Sequence, residues 1–233
     1  MQPETAPPPT TRPTAPTALL LDFDGTLAPV DITARLHHDL GRPGWQAALE
    51  LGVNQGEGSL ALQRRLLAFL PQDIEGLLAW ALRHDLDPAG RPLIDAARRA
   101  GWAVEVASDG YGFYIPALLA RHGIEAATRC ADVAMAEDGL RLLAPWAQPA
   151  DPRCPDCTTC KLAAVADHRR AGRRVVLVGD GWSDRLAAVD ADVVYARDLL
   201  ARHCDEEGVA YRAWSSLADV LADLVGRGEL AAA

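Results

Sequence analysis

The sequence predicts an α/β protein: a Rossmann-like, doubly wound, mainly parallel sheet with a small helical cap inserted after the first strand. Three observations lead there. Short, nearly unbroken apolar runs recur at "ALLLDFD" (18–24), "WAVEVAS" (102–108), "RVVLVGD" (174–180) and "ADVVYA" (191–196), the pattern of strands covered on both faces. Helical patterns lie between the later runs, and such alternation builds a sheet with crossover helices. Several runs end in an acid or serine followed by a glycine-bearing turn, as in "DFDGT", "ASDG" and "VGDGWSD".

The opening "MQPETAPPPTTRPTAPT" (1–17) is rich in Pro and Thr and has nothing to bury, so a disordered tail is expected there. The α/β core is expected over 18–30 and 88–226, with 227–233 as a second tail. Between the core pieces, residues 31–87 hold "WQAALEL", "SLALQRRLLAFL" and "IEGLLAWALRHD", which read as several helices without a convincing strand. This is the expected cap, and Trp45, Trp80 and its leucines read as its packing. Core helices are expected near 89–100, 112–122 and 161–171, with a short one after Trp182. "VAMAEDGLRLL" (133–143) places Asp138-Gly139 between two apolar stretches, a hairpin signal.

Composition limits the function. With 233 residues, 49% hydrophobic and 24% charged, the chain can bury a sizeable core, and a formal net charge of -9 disfavours a nucleic-acid or membrane-surface partner. No apolar run approaches the roughly 20 residues that cross a bilayer, and no secretory leader is visible. A cytoplasmic location is expected. Five cysteines, three of them clustered, do not resemble the disulfide framework of a small secreted domain, so reduced thiols are expected.

The chemistry sits at the strand ends. Asp22 and Asp24 are two apart at the end of the first run, which aims both side chains at one face. Acids so placed repel unless a cation or a proton in transit compensates. The later runs end in Ser108 with its glycine turn and in Asp180 with Asp184 one helical turn on. In open α/β sheets such ends converge on the ligand crevice. Carboxylate oxygens there suit Mg2+, Ser108 and the turn amides at Asp109 and Gly110 suit phosphate oxygens, and Lys161 suits the charge of a phosphoryl group. Phosphoryl transfer fits this set better than acyl transfer or redox chemistry.

In this order, "DFDGT", Ser108, Lys161 and "GDGWSD" resemble the four motifs of the haloacid dehalogenase superfamily, and they span nearly all of the expected ordered chain. The resemblance implies that Asp22 is the nucleophile of an aspartyl-phosphate intermediate and Asp24 the general acid/base. It implies that Asp22, the backbone carbonyl of Asp24 and Asp180 bind Mg2+, while Asp184 positions Lys161 or the metal's water. Asp24 implies a phosphatase in place of a dehalogenase. The helical insert resembles the subgroup containing phosphoserine phosphatase. "SDGYGFYIPALL" and the approach to Lys161 are similar to a branch with the methionine-salvage phosphatase of 2-hydroxy-3-keto-5-methylthiopentenyl-1-phosphate and the phosphoethanolamine/phosphocholine phosphatases. The expected partner is a small phosphorylated metabolite; phosphotransfer to an acceptor and ligand sensing without turnover are the rival readings.

Other candidates keep two readings. Lys161 is the chain's single lysine; coding bias would leave such a residue at a surface by chance, whereas a tight phosphate pocket would require its compact ammonium. Cys154, Cys157 and Cys160 have the spacing of metal ligands, yet structural Zn2+ usually takes four, with Cys130, His168 or Cys204 as the available fourth. Buried thiols are the preferred reading and zinc the lesser. Asp31 is either a reader of the substrate or the N-cap of "ITARL". Arg64 and Arg65, with His37 and His38, either reach the substrate or form a solvated helix face. Tyr111, Phe113, Tyr114 and Trp182 either wall the pocket or pack beside it.

Overall fold

The computed structural model describes residues 15–147, 153, 154 and 156–231. Seven strands form one sheet in the order β4-β3-β2-β1-β5-β6-β7. They are β1 (Thr17–Leu21), β2 (Ala103–Tyr111), β3 (Ala127–Ala136), β4 (Gly139–Leu143), β5 (Arg174–Gly179), β6 (Val193–Ala196) and β7 (Arg212–Ala213). Every pairing is parallel except that of β3 with β4.

The apolar run of β1 explains its central place. All five of its residues are buried, and their alternation divides them between two cores. Leu19 and Leu21 join Val106, Val176 and Val178 on one face, whereas Leu20 joins Ala107, Val175 and Leu177 on the other. Helices α5 (Gly90–Arg99), α6 (Ile115–Arg121) and α10 (Leu217–Gly226) cover the first face. Helices α7 (Lys161–Arg170), α8 (Arg185–Asp190) and α9 (Asp198–Glu207) cover the second.

Four helices, α1 (Ile32–Leu40), α2 (Trp45–Asn54), α3 (Ser59–Leu67) and α4 (Ile74–Ala81), lie between β1 and α5. Ile32, Leu36, Leu67, Leu77 and Trp80 belong to the same buried cluster as the sheet's first face, so this insert is packed onto the core. Asp31 caps α1 by accepting from Ala34 N at 2.7 Å, and Asp73 caps α4 by accepting from Gly76 N at 3.1 Å.

Several boundaries differ from the sequence reading. Residues 1–14 of the expected tail lie outside the described residues, but Thr17 is already part of β1 and pairs with Arg174. Toward the other end, Leu230 is buried in the first core and Glu229 bonds Arg174 at 2.6 Å, so residues 229–230 are packed against the core, not a loose tail. The hairpin pairs Ala136 with Gly139, which makes Glu137 and Asp138 its two-residue turn. Ser108, expected at the end of a strand, lies inside β2, which continues to Tyr111 through a register shift.

Candidate active site

In chain order the sheet grows from β1 through β2 to β3, then from β5 outward on β1's other side. The reversal puts a crevice at the carboxyl ends of β1 and β5, where such sheets bind ligands. Asp22 follows β1 directly, held by its backbone N–H to Val178 O at 3.0 Å, and Asp180 follows β5. Gly25, at φ +75°, turns the chain beneath Asp180, where a Cβ would strike the carboxylate. Thr26 Oγ1 then donates to Asp180 Oδ1 at 2.7 Å.

The shift in β2 brings in the third strand. Ala107 pairs with Arg129 and Tyr111 with Ala131, so Ser108, Asp109 and Gly110 stand opposite Cys130 alone. Such a bulge expels residues from the ladder and re-aims them. All three line a cavity of about 310 Å³ with Asp22, Asp24 and Asp180. Ser108 Oγ accepts from Gly110 N at 3.0 Å. A Cβ at Gly110 would collide with the Tyr114 hydroxyl and the Asp24 carboxylate.

Lys161 opens α7 and is 2% exposed. Its Nζ lies 2.7 Å from Asp22 Oδ2 and 2.7 Å from Asp184 Oδ1, and donates to Ser183 Oγ at 2.8 Å. Burial alone would lower its pKa, but Asp184, Asp22 and Asp109 outweigh burial and raise it. The chain's single lysine is therefore a fully engaged buried ammonium.

Carboxylate oxygens of Asp22, Asp180 and Asp184 all come within 4.8 Å of one another. Burial, then the Asp184 charge, holds Asp22 well above the usual carboxylate range, and burial likewise raises Asp180. Three hard oxygen donors crowded in this way fit a small divalent cation, which would relieve the repulsion. The Asp24 carboxylate is not in this group. Its Oδ2 accepts from Tyr114 OH at 2.6 Å and Thr33 Oγ1 at 2.8 Å, and its Oδ1 from Ile32 N at 3.1 Å. Burial, with the Asp31 charge second, pushes its pKa up to about 7 against these donors. Two acids two residues apart thus have separate surroundings.

The profile of the haloacid dehalogenase-like hydrolase family matches residues 19–189, which include every residue of this constellation. The chain belongs to this family. Among curated relatives, 2-hydroxy-3-keto-5-methylthiopentenyl-1-phosphate phosphatase of Exiguobacterium sibiricum is 27% identical over 87% of this chain and 94% of its own length. The enzyme of the same name from Geobacillus kaustophilus is 26% identical over 87% and 93%. The fold also matches a solved phosphoserine phosphatase carrying a phospho-aspartyl intermediate analogue, with a TM-score of 0.67, 15% identity, and coverage of 90% of this chain and 99% of that one.

Around the hydrolase site, the structure sorts the remaining candidates. Asp31 is both N-cap and cavity residue: its Oδ1 caps α1 and the residue lines the cavity, where desolvation by the surrounding protein raises its pKa. Arg64 is exposed and Arg65 is ion-paired with Glu57; neither lines the site cavity. Those two arginines form a solvated and internally paired face, not a substrate clamp. His37 is buried against Tyr111 OH at 3.3 Å, whereas His38 pairs with Asp39 at 2.9 Å on the surface. Tyr111 and Tyr114 are fully buried and Phe113 packs against them, while Trp182, 58% exposed, lines the cavity beneath the Arg185 guanidinium.

The cysteine reading needs correction. Cys154 and Cys157 form a disulfide with their Cα atoms 6.0 Å apart, in place of the expected thiols. Cys130 and Cys204 are buried thiols, as expected. Sulfurs of Cys154, Cys157 and Cys160 lie within 4.8 Å of one another, and the group includes none of Cys130, His168 and Cys204. Zinc binds thiolate, and two of these three sulfurs are spent in the disulfide, so the cluster as formed does not fit Zn2+.

Sequence reasoning missed four contributors: Thr26, Thr33, Tyr114 as a ligand of Asp24, and Gln63. Gln63 Nε2 donates to the Asp109 carbonyl at 2.6 Å. The loop before α7 meets the same residue, since Thr159 N donates to Asp109 Oδ1 at 2.8 Å. It also holds the cap, through Thr158 N to Ser59 Oγ at 2.8 Å and Leu60 N to Asp156 O at 3.3 Å. These ties join segments far apart in sequence, and no local pattern announces them.

Proposed function

We propose that this hydrolase is a Mg2+-dependent phosphomonoesterase that cleaves a small phosphorylated metabolite through an aspartyl-phosphate on Asp22. The division of labour between Asp22 and Asp24 carries the reading. Asp22 lies against the Lys161 ammonium and within the acidic group, as a nucleophile that must approach an anionic phosphoryl requires. Asp24, with a pKa of about 7, is half protonated near neutrality, which suits a residue that first donates and later accepts a proton.

Asp22, Asp180 and Asp184 would hold the Mg2+, with the Asp24 carbonyl as the family resemblance implies. When bound, the ion supplies neutralisation of the phosphoryl oxygens. In the proposed sequence Asp22 forms a bond to phosphorus as the ester oxygen departs, taking its proton from Asp24. Asp24 then accepts a proton from the water that attacks the acyl phosphate, which releases Asp22 and inorganic phosphate. Ser108 and the amides of the β2 bulge hold phosphate oxygens, and Lys161 offsets the charge shared by phosphoryl and nucleophile. Thr33 of α1 and Gln63 of α3 border the cavity, so the insert shields one side of the site from bulk water.

For the substrate we favour the methionine-salvage enol phosphate, 2-hydroxy-3-keto-5-methylthiopentenyl-1-phosphate. The relatives matched over most of their length carry that name. A second cavity of about 810 Å³ shares Asp31, Asp109, Trp182 and Ser183 with the first, and Val53, Leu62, Leu162 and Leu186 give it apolar walls suited to an uncharged tail. The test is phosphate release from that ester, phosphoserine and phosphoethanolamine, with and without Mg2+, by the native protein and Asp22→Asn. The reading expects metal-dependent release, lost in the variant and fastest on the enol phosphate. Equal slow rates on all three would remove the substrate assignment, and no metal-dependent release from any would remove the phosphatase.

A further inference from the structure

Gln63 occupies an unusual position for a cap residue. It projects from α3 into the cavity that holds Asp22, Asp24 and Ser108. Its Nε2 donates to the Asp109 carbonyl at 2.6 Å, a bond that only the amide nitrogen can make, so the oxygen must occupy the other branch of the fork. That Oε1 is buried and has no hydrogen-bond partner. Thr159 repeats the pattern in the adjoining cavity: its N–H is tied to Asp109 Oδ1, while its Oγ1 is buried without a partner. Among the described residues, the other buried polar atoms lacking a partner belong to His37, Trp102, His122, Arg197 and His203, none of which lines either cavity.

A buried acceptor left unmade is costly and calls for an explanation. Beside a reacting centre the simplest one is that the substrate completes it. Here the cavity around Gln63 is acidic: Asp31 and Asp109 flank it, and Lys161 is already engaged by Asp22 and Asp184. Such a setting repels a second anionic group on the leaving group and attracts a donor.

We propose that Gln63 is a specificity-determining residue whose Oε1 accepts a hydrogen bond from a donor, hydroxyl or ammonium, carried by the leaving group near its ester oxygen. The Asp109 carbonyl tethers the amide nitrogen, and the buried oxygen meets the leaving group by a small turn of the side chain about that tether. Thr159 Oγ1 extends the polar track toward the larger cavity. This inference rests on the phosphatase reading above.

The experiment compares kcat/KM of the Mg2+-loaded protein on 2-hydroxyethyl phosphate, 2-aminoethyl phosphate and ethyl phosphate, with p-nitrophenyl phosphate reporting hydrolysis independently. The native protein is expected to prefer at least one donor-bearing ester over ethyl phosphate by about 10- to 100-fold, the fold-change of one buried hydrogen bond; which ester wins tells hydroxyl from ammonium. Gln63→Leu should bring that ratio close to one. Gln63→Glu keeps an oxygen acceptor while losing the amide N–H, and should retain a preference, shifted toward the ammonium ester. Equal losses on all three esters in both variants, with the native ratio intact, would reduce Gln63 to a tether for Asp109 and overturn the proposal. So would a native protein indifferent to the donor yet active on p-nitrophenyl phosphate. Failure on p-nitrophenyl phosphate as well would instead strike the phosphatase reading from which the proposal derives.

Discussion

Lys161 and Asp184 form an ion pair 2.7 Å long with both side chains essentially inaccessible, and the same ammonium reaches Asp22. A lone charge at this depth would be untenable, so Asp184 holds Lys161 in place as well as completing the acidic group. Lys161→Met should lower kcat/KM about 100- to 1,000-fold, the scale of removing one preorganised donor to a developing charge. Lys161→Arg should not restore it, because Ser183, Asp184 and Asp22 enclose a compact ammonium with no space for a planar fork. Steady-state kinetics of the two variants check this, and an active arginine variant would contradict it.

Asp24→Asn keeps shape but cannot pass a proton. With an alkyl ester, kcat should fall about 100- to 10,000-fold. With p-nitrophenyl phosphate, whose leaving group needs no proton, the first step should survive and the second stall. Acid quenching should then trap a phosphorylated protein that the native enzyme turns over. Absence of that species during a residual burst would place Asp24 outside the second step.

The acidic group predicts a metal-dependent stability. A cation that binds only the folded state adds about 2.7 kcal/mol at 100 times its Kd, so Mg2+ should raise Tm and a chelator should reverse the rise. Asp180→Asn removes one carboxylate from the group and should shrink the shift. An undiminished shift in that variant would put the cation elsewhere.

His37 gives a pH dependence separate from the catalytic groups. Burial pushes its pKa down to about 4 from the usual 6.5. The unfolded chain therefore takes up a proton that the folded chain refuses: this contribution to stability is complete above pH 6.5 and drains away as pH falls toward 4. The loss accumulated by the lower end is about 2 to 3 kcal/mol. Asp22, which is buried, and the half-buried Asp24 and Asp180, all raised in pKa, act in the opposite sense. The informative quantity is thus the difference between native and His37→Gln denaturation profiles from pH 7 to 4.5, which should narrow as pH falls.

Much of this was legible in the sequence because burial on two faces leaves a plain signature. The run "ALLL" marks β1, and Asp22, Asp24, Asp180 and Asp184 follow strands whose ends had to converge. The bulge at Ser108 to Gly110 was not legible, since nothing in "VASDGY" says how many residues the partner strand will oppose. Nor were Tyr114 and Gln63. Each acts through one hydrogen bond across 90 and 46 residues, and a buried tyrosine or a helical glutamine is ordinary in composition. Arg64 and Arg65 stayed open between two readings for the same reason: charge is visible in a sequence, whereas the face it occupies is decided by packing.

Asp109 joins three parts of the chain: the bulge that bears it, cap residue Gln63, and Thr159 just before the lysine helix. The cap therefore cannot lift without first unfastening the Gln63 bond, and the loop before Lys161 cannot drift without unfastening the Thr159 bond. Displacement of the insert and displacement of the bulge are thereby coupled. Two hydrogen bonds to one aspartate thus make the insert, the bulge and the approach to the lysine helix a single mechanical unit around the cavity.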